Sequence, residues 1–99
     1  AQPDWEVELA LVIGRRVRRA GEAEALTTIA GYCVANDVSM RDWQRRTLQW
    51  LQGKAWERTT PVGPVLVSGD EIGHAQALEI SCAIDGAIVQ RHLDGLEAP

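Results

Sequence analysis

Ninety-nine residues, 45% hydrophobic and 24% charged, have the composition of one small globular domain; this excludes a disordered or collagen-like chain. The formal charge of −4 at pH 7 argues against a nucleic-acid partner, because such binding depends on neutralising phosphates. Ordering each residue costs about 1.5 kcal/mol, which leaves so short a chain little reserve, so residues 1–99 are expected to form part of a larger fold.

In chain order, Trp5 to Ile13 reads as a strand. Trp5, Val7, Leu9, Leu11 and Ile13 fall on one face, with Glu6, Glu8, Ala10 and Val12 on the other. The acidic end is expected to enter a cleft and the far end to stay in a core. Gly14 and the run Arg15-Arg16-Val17-Arg18-Arg19 leave the strand, and no nucleic-acid reading motif accompanies those arginines. Glu22 to Ala30 suits a short helix with acids in its first turn, ended by Gly31. Tyr32 to Val38 is a second strand.

Ser39 is placed to cap a helix from about Met40 to Leu51, with Asp42 in the capping-box position. Trp43, Thr47, Trp50 and Leu51 would line one side of it, and Arg41, Gln44, Arg45 and Leu48 another. Gly53 closes that helix. Pro61-Val62-Gly63-Pro64 is an extended connection to a short strand, Val65 to Val67, and Gly69 to Gly73 is a turn. Leu78 to Ile84 and Ala87 to Arg91 form a hairpin around Asp85-Gly86, a pair suited to a type I′ turn. The tail from Asp94 to Pro99 is polar and turn-like.

Cys33 and Cys82 lie far apart with no CxxC pair, so free thiols in a reducing compartment are the simpler account. The apolar run Leu9 to Ile13 is too short for a membrane span, and no basic-then-apolar leader opens the chain. A cytoplasmic protein with no membrane partner is expected.

Chemistry concentrates at four places. Glu6 and Glu8, two apart on a strand, point the same way with Cα atoms roughly 6.5–7 Å apart, so their carboxylates can converge on one ion. Asp37 ends an apolar run and can supply a third oxygen ligand. Such a set suits magnesium, with manganese as the alternative, and the absence of a Cys/His cluster argues against structural zinc. Equally, Glu-x-Glu on a half-exposed strand can be a solvated face, and an aspartate beside Ser39 can serve a turn. Arg41, with Gln44 one helical turn later, can grip a carboxylate, or the arginine can pair locally with Asp37 or Asp42. Lys54 is the single lysine among nine arginines; it can face a developing oxyanion or be ordinary surface charge.

The segments WEVELALVIGRR (Trp5 to Arg16), IAGYCVANDVSMRDWQ (Ile29 to Gln44) and GKAWERTTPVGPVLVSGDEIG (Gly53 to Gly73), followed by the Asp85-Gly86 hairpin, resemble the fumarylacetoacetate hydrolase family in consistent order. GYCVANDVSMRDWQ is the most specific of them. The resemblance implies the central part of a mixed α+β fold, a β-roll with short outer helices and a metal in its mouth. It implies Glu6, Glu8 and Asp37 as metal ligands, Arg41 and Gln44 as substrate-side groups and Lys54 as the active-site lysine. The implied chemistry is hydrolysis, decarboxylation or isomerisation of a small 2-oxo or enol dicarboxylic acid through an enolate. A homodimer is the implied assembly. The competing reading is an inactive fragment or diverged scaffold of the same fold.

Two departures stand out. Lys54-Ala55-Trp56-Glu57 occupies the place where the family often has Lys-Gly-Phe-Asp. The family's leading segment and lid, with a His/Glu pair that activates water, and its closing Pro-Gly-Asp and Gly-Thr-Pro region are not seen here. Neither His74 nor His92 matches the lid histidine.

Overall fold

The computed structural model describes residues 1–73 and 75–92. Among the described residues, seven strands and four short helices follow in order: β1 (Pro3–Asp4), β2 (Val7–Ile13), α1 (Glu22–Thr27), β3 (Ile29–Asn36), β4 (Ser39–Met40), α2 (Arg41–Gln44), α3 (Leu51–Lys54), β5 (Val62–Val67), α4 (Gly69–Ile72), β6 (Ile80–Ile84) and β7 (Ala87–His92). A single 3-10 turn, Ala75–Ala77, precedes β6. All pairing is antiparallel, in a three-stranded sheet ordered β2-β3-β5 and two-stranded sheets β1-β4 and β6-β7. The expected mixed α+β class is thus observed.

The core lies at the acidic end of β2. Val7, Ala35, Met40 and Ile80 are its buried apolar side chains, joined by buried Ser39 and Thr59, while Thr28 is buried at the opposite end of the strand beside Gly14. Leu11, Val12 and Ile13, expected in a core, are exposed instead. The reason is that α1, which follows them, contributes no buried residue of its own. β2 also begins later than expected, at Val7, because Pro3–Asp4 pairs with β4 and the chain bends between the two strands.

α1 stops before Gly31. Thr27 Oγ1 donates to the Glu24 carbonyl at 2.7 Å and Thr28 Oγ1 to that of Ala25 at 2.7 Å, and the chain then turns directly into β3. β3 accordingly starts three residues and ends two residues ahead of the expected strand, and Asp37 and Val38 lie beyond it. The single helix expected from Met40 to Leu51 is two four-residue helices. Between them the Thr47 hydroxyl donates to the Gln49 carbonyl at 2.9 Å and accepts from the Gln49 amide at 3.2 Å, a local alternative to helical bonding. The one-sided row of Trp43, Thr47, Trp50 and Leu51 therefore does not form. Gly53, expected to end a helix, sits inside α3. A Cβ there would lie 2.6–2.7 Å from the Gln44 backbone, so only glycine lets α3 pack this closely on α2.

β5 starts at Val62, since the proline-rich connection pairs with β3 (Val34 opposite Gly63, Ala35 opposite Val62). Gly69 to Gly73 holds the one-turn helix α4. In the hairpin, Asp85 and Gly86 both take positive φ, 52° and 83°, as a type I′ turn requires. His74 and the tail from Asp94 to Pro99 lie outside the described residues.

Candidate metal centre

Antiparallel pairing assembles the site. Val7 stands opposite Asn36, so Glu6, just before β2, meets Asp37, just after β3. The backbone locks this end: the Asp37 amide donates to the Glu6 carbonyl at 2.9 Å, and the Glu6 amide donates to Asn36 Oδ1 at 3.0 Å. Glu8, two residues along, projects to the same side. One carboxylate oxygen from each of Glu6, Glu8 and Asp37 lies within 4.8 Å of the others. The fully buried Ser39 donates its hydroxyl to the Asp37 carbonyl at 3.0 Å; its role is to hold Asp37, and Met40, not Ser39, takes the cap position of α2.

Two cations close the cluster. Lys54 Nζ, at the end of α3, is 2.9 Å from Glu6 Oε2 and 3.0 Å from Asp37 Oδ2. Arg41 Nη1 donates to the other Glu6 oxygen, Oε1, at 2.7 Å, and its Nε to Asp4 Oδ2 at 2.9 Å. Arg41 Nη1 also donates to Gln44 Oε1 at 2.8 Å. The guanidinium thus pairs with Asp4 and Glu6 in place of the local partners, Asp37 or Asp42, that its sequence neighbours suggest.

Electrostatics follow from this alternation of charge. Burial opposes ionisation of Glu6, but its bonds to Lys54 and Arg41 outweigh that and hold its pKa below the ordinary glutamate value. Burial likewise disfavours the Lys54 ammonium, and the Glu6 and Asp37 carboxylates overcome it and raise its pKa. Bonds to Asp4 and then Glu6 raise Arg41, and Arg41 in turn lowers Asp4.

Asp4, Glu6, Glu8, Arg41, Gln44 and Lys54 line a polar cleft of about 560 Å³, with Trp5, Val7, Trp50 and Gln90 completing its wall. Every sequence-predicted site residue except Asp37 lines that cleft, and Asp37 joins through its bond to Lys54. Asp4 and Gln90 were missed. Asp4 extends the alternation to Asp4-x-Glu6-x-Glu8, a signal available in the sequence. Gln90 Oε1 accepts from the Val7 amide at 2.8 Å across 83 residues, and no local pattern announces that bond.

The residues fit a divalent cation. The converging donors are all carboxylate oxygens, the hard ligands that such an ion takes. Glu6, Glu8 and Asp37 are the side chains that would hold the ion.

The comparisons agree with this chemistry. The family described as fumarylacetoacetate (FAA) hydrolase C-terminal matches residues 1–93. The chain is 47% identical over 88 residues to the mitochondrial oxaloacetate tautomerase of Rattus norvegicus, covering 88% of this chain and 28% of that protein. Fumarylpyruvate hydrolase from Pseudomonas aeruginosa, solved with Mn2+ and pyruvate, superposes with a TM-score of 0.82 at 33% identity, over 91% of this chain and 40% of that one. The 2-hydroxyhepta-2,4-diene-1,7-dioate isomerase of Mycobacterium marinum gives a TM-score of 0.84 at 36% identity, over 92% of this chain and 35% of its own. The chain therefore spans well under half the length of each of these relatives. Matched along nearly its whole length by family, sequence and structure, it belongs to the fumarylacetoacetate hydrolase family.

Proposed function

We propose that this chain carries the metal-binding centre of an enzyme that isomerises a small 2-oxo dicarboxylic acid, interconverting its keto and enol forms. The observation that carries the proposal is the convergence of Glu6, Glu8 and Asp37 with the Lys54 ammonium against two of them. The tautomerase and the isomerase among the relatives support the isomerisation reading. A bound divalent ion, magnesium by preference and manganese as the alternative seen in the Pseudomonas relative, would supply Lewis-acid polarisation of the substrate's 2-oxo group.

The remaining work falls to the chain's own groups. Lys54 Nζ donates toward the substrate's 2-oxo oxygen and so favours the enolate form over the ketone. Gln44 has its Oε1 committed to Arg41, so its amide NH2 faces the substrate carboxylate. Arg41 holds Gln44 and Glu6 in place and presents its positive charge to the same carboxylate. Trp50 and Trp5 wall the cleft and limit water.

A homodimer and a cytoplasmic setting belong to the same proposal. β5 is an edge strand with Val62, Val65 and Leu66 exposed, a surface open to pairing. Cys33 and Cys82 are unbridged, as a reducing compartment favours. Among the described residues no helix is long and apolar enough to cross a membrane.

The test is Mn2+ and Mg2+ calorimetry on the full chain, with an ultraviolet assay of oxaloacetate enol decay. Metal-dependent acceleration that disappears in Asp37→Asn is the expected outcome. Metal binding unchanged in Asp37→Asn and Glu6→Gln would reject the site, and binding without acceleration would favour the inactive-scaffold reading.

A further inference from the structure

The Glu6–Val7 peptide is held at both ends. Its carbonyl accepts from the Asp37 amide at 2.9 Å, and its N–H donates to Gln90 Oε1 at 2.8 Å. A peptide unit is planar, so fixing those two atoms fixes the tilt of the plane. This plane lies between Glu6 and Glu8, and its tilt sets how the two side chains leave the strand. Among the described residues β2 is an outer strand of its sheet, and the Val7 N–H points away from β3. Gln90 supplies the acceptor that a neighbouring strand would otherwise provide. We propose that Gln90 is a positioning residue: from β7, in a separate sheet, it sets the tilt of the Glu6–Val7 peptide and with it the spacing of the Glu6 and Glu8 carboxylates.

The Gln90 side chain is itself oriented. With Oε1 given to Val7, its Nε2 can only donate, and its partner is His92 Nε2 at 3.1 Å. His92 therefore accepts at Nε2 and carries its proton on Nδ1. The reversed amide would set the Gln90 NH2 against the Val7 N–H, donor to donor. Gln90 and His92 are two apart on β7 and share a face of the hairpin, while Arg91 between them turns the other way, to Glu79 at 3.0 Å. Carboxylate oxygens gathered within 4.8 Å of one another repel, so a peptide free to tilt would let Glu6 and Glu8 spread. Gln90 carries no charge, and its influence on the cluster is one of geometry alone.

The role of Gln90 rests on the proposed metal centre, and amide exchange together with calorimetry separates the two. Hydrogen exchange at single amides is followed by NMR on the full chain and on Gln90→Met, which keeps the side chain's length and neutrality and loses the acceptor. Mn2+ is titrated into both. Exchange at Val7 should accelerate by about tenfold or more relative to the Gly14 amide at the far end of the ladder. Mn2+ affinity should fall about tenfold, the low end of what groups behind metal ligands contribute. Gly86→Ala, which strains the same hairpin at its turn, should leave both readouts at their wild-type values. Unchanged Val7 exchange in Gln90→Met overturns the tether. Faster exchange with Mn2+ affinity equal to or above wild type overturns the positioning role and leaves the metal centre standing. Matching changes in Gly86→Ala also overturn it, since general weakening of the hairpin would then suffice. No Mn2+ binding by the wild type overturns the metal centre and this role with it. If Gln90→Met does not fold, His92→Phe, which strips the Gln90 amide of its own acceptor, is judged by the same two readouts.

Discussion

At the residue scale, Glu6 is the hinge of the site because it serves Arg41 with one oxygen and Lys54 with the other. Glu6→Gln keeps the shape but makes one of those atoms a donor facing a cation. The expected result is a loss of about 1–2 kcal/mol in metal-free stability by denaturant titration, together with weakened metal binding. Ser39→Ala tests the support beneath Asp37. It removes a fully buried hydroxyl bonded to the Asp37 carbonyl and should cost about 1 kcal/mol, with a smaller loss of metal affinity than Glu6→Gln. The two glutamates were legible because a strand's period of two is local and rigid. Asp37 and Lys54 were legible only as candidates: what unites them is a ladder register and a helix–helix contact, neither of which neighbouring residues encode. Asp4 carried the same period but sits beyond a bend, on a separate short strand.

At the element scale, the instructive failure is the helix expected across Met40 to Leu51. Its apolar and aromatic spacing suits one helix, yet Thr47 satisfies its own backbone neighbourhood and the chain folds back. The return is what brings α3, and with it Lys54, over the carboxylates. Arg46 lies over the Trp43 ring at 3.6 Å, and Trp43, expected on the face of one long helix, instead meets Trp56 just beyond α3 edge-on at 5.7 Å. Gly53→Ala attacks this junction directly. A methyl group at 2.6–2.7 Å from Gln44 backbone should force α3 outward, costing about 1–3 kcal/mol and weakening metal-dependent activity beyond the loss of stability. The hairpin is the opposite case. Asp85-Gly86 was readable because the turn's backbone demand is met by two adjacent residues, and Gly86→Ala should lower stability by about 1 kcal/mol without touching the cleft.

At the scale of the whole molecule, the mixed α+β class followed from period-two segments separated by glycine and proline. The position of the core did not: burial depends on which layers cover which strand end, and α1 leaves its neighbours uncovered. If β5 pairs with a second copy, Val65→Lys on that exposed edge should shift sedimentation toward the monomer while unfolding free energy stays within about 0.5 kcal/mol. Unchanged sedimentation would place any self-association elsewhere.

The bare far end of the β2–β3 ladder has a practical corollary. Five residue steps from Glu8 and seven from Glu6, at about 3.3 Å each, separate it from those carboxylates by roughly 17–23 Å along the strand. Its strands are clamped there by the Gly14 amide on the Thr28 carbonyl at 2.7 Å, and the excursion between them supplies none of the groups that bind or react. A fluorophore, an affinity handle or a spliced-in reporter loop between residues 15 and 27 would therefore ride on the protein as a passenger, reporting on its whereabouts and tumbling without altering its chemistry.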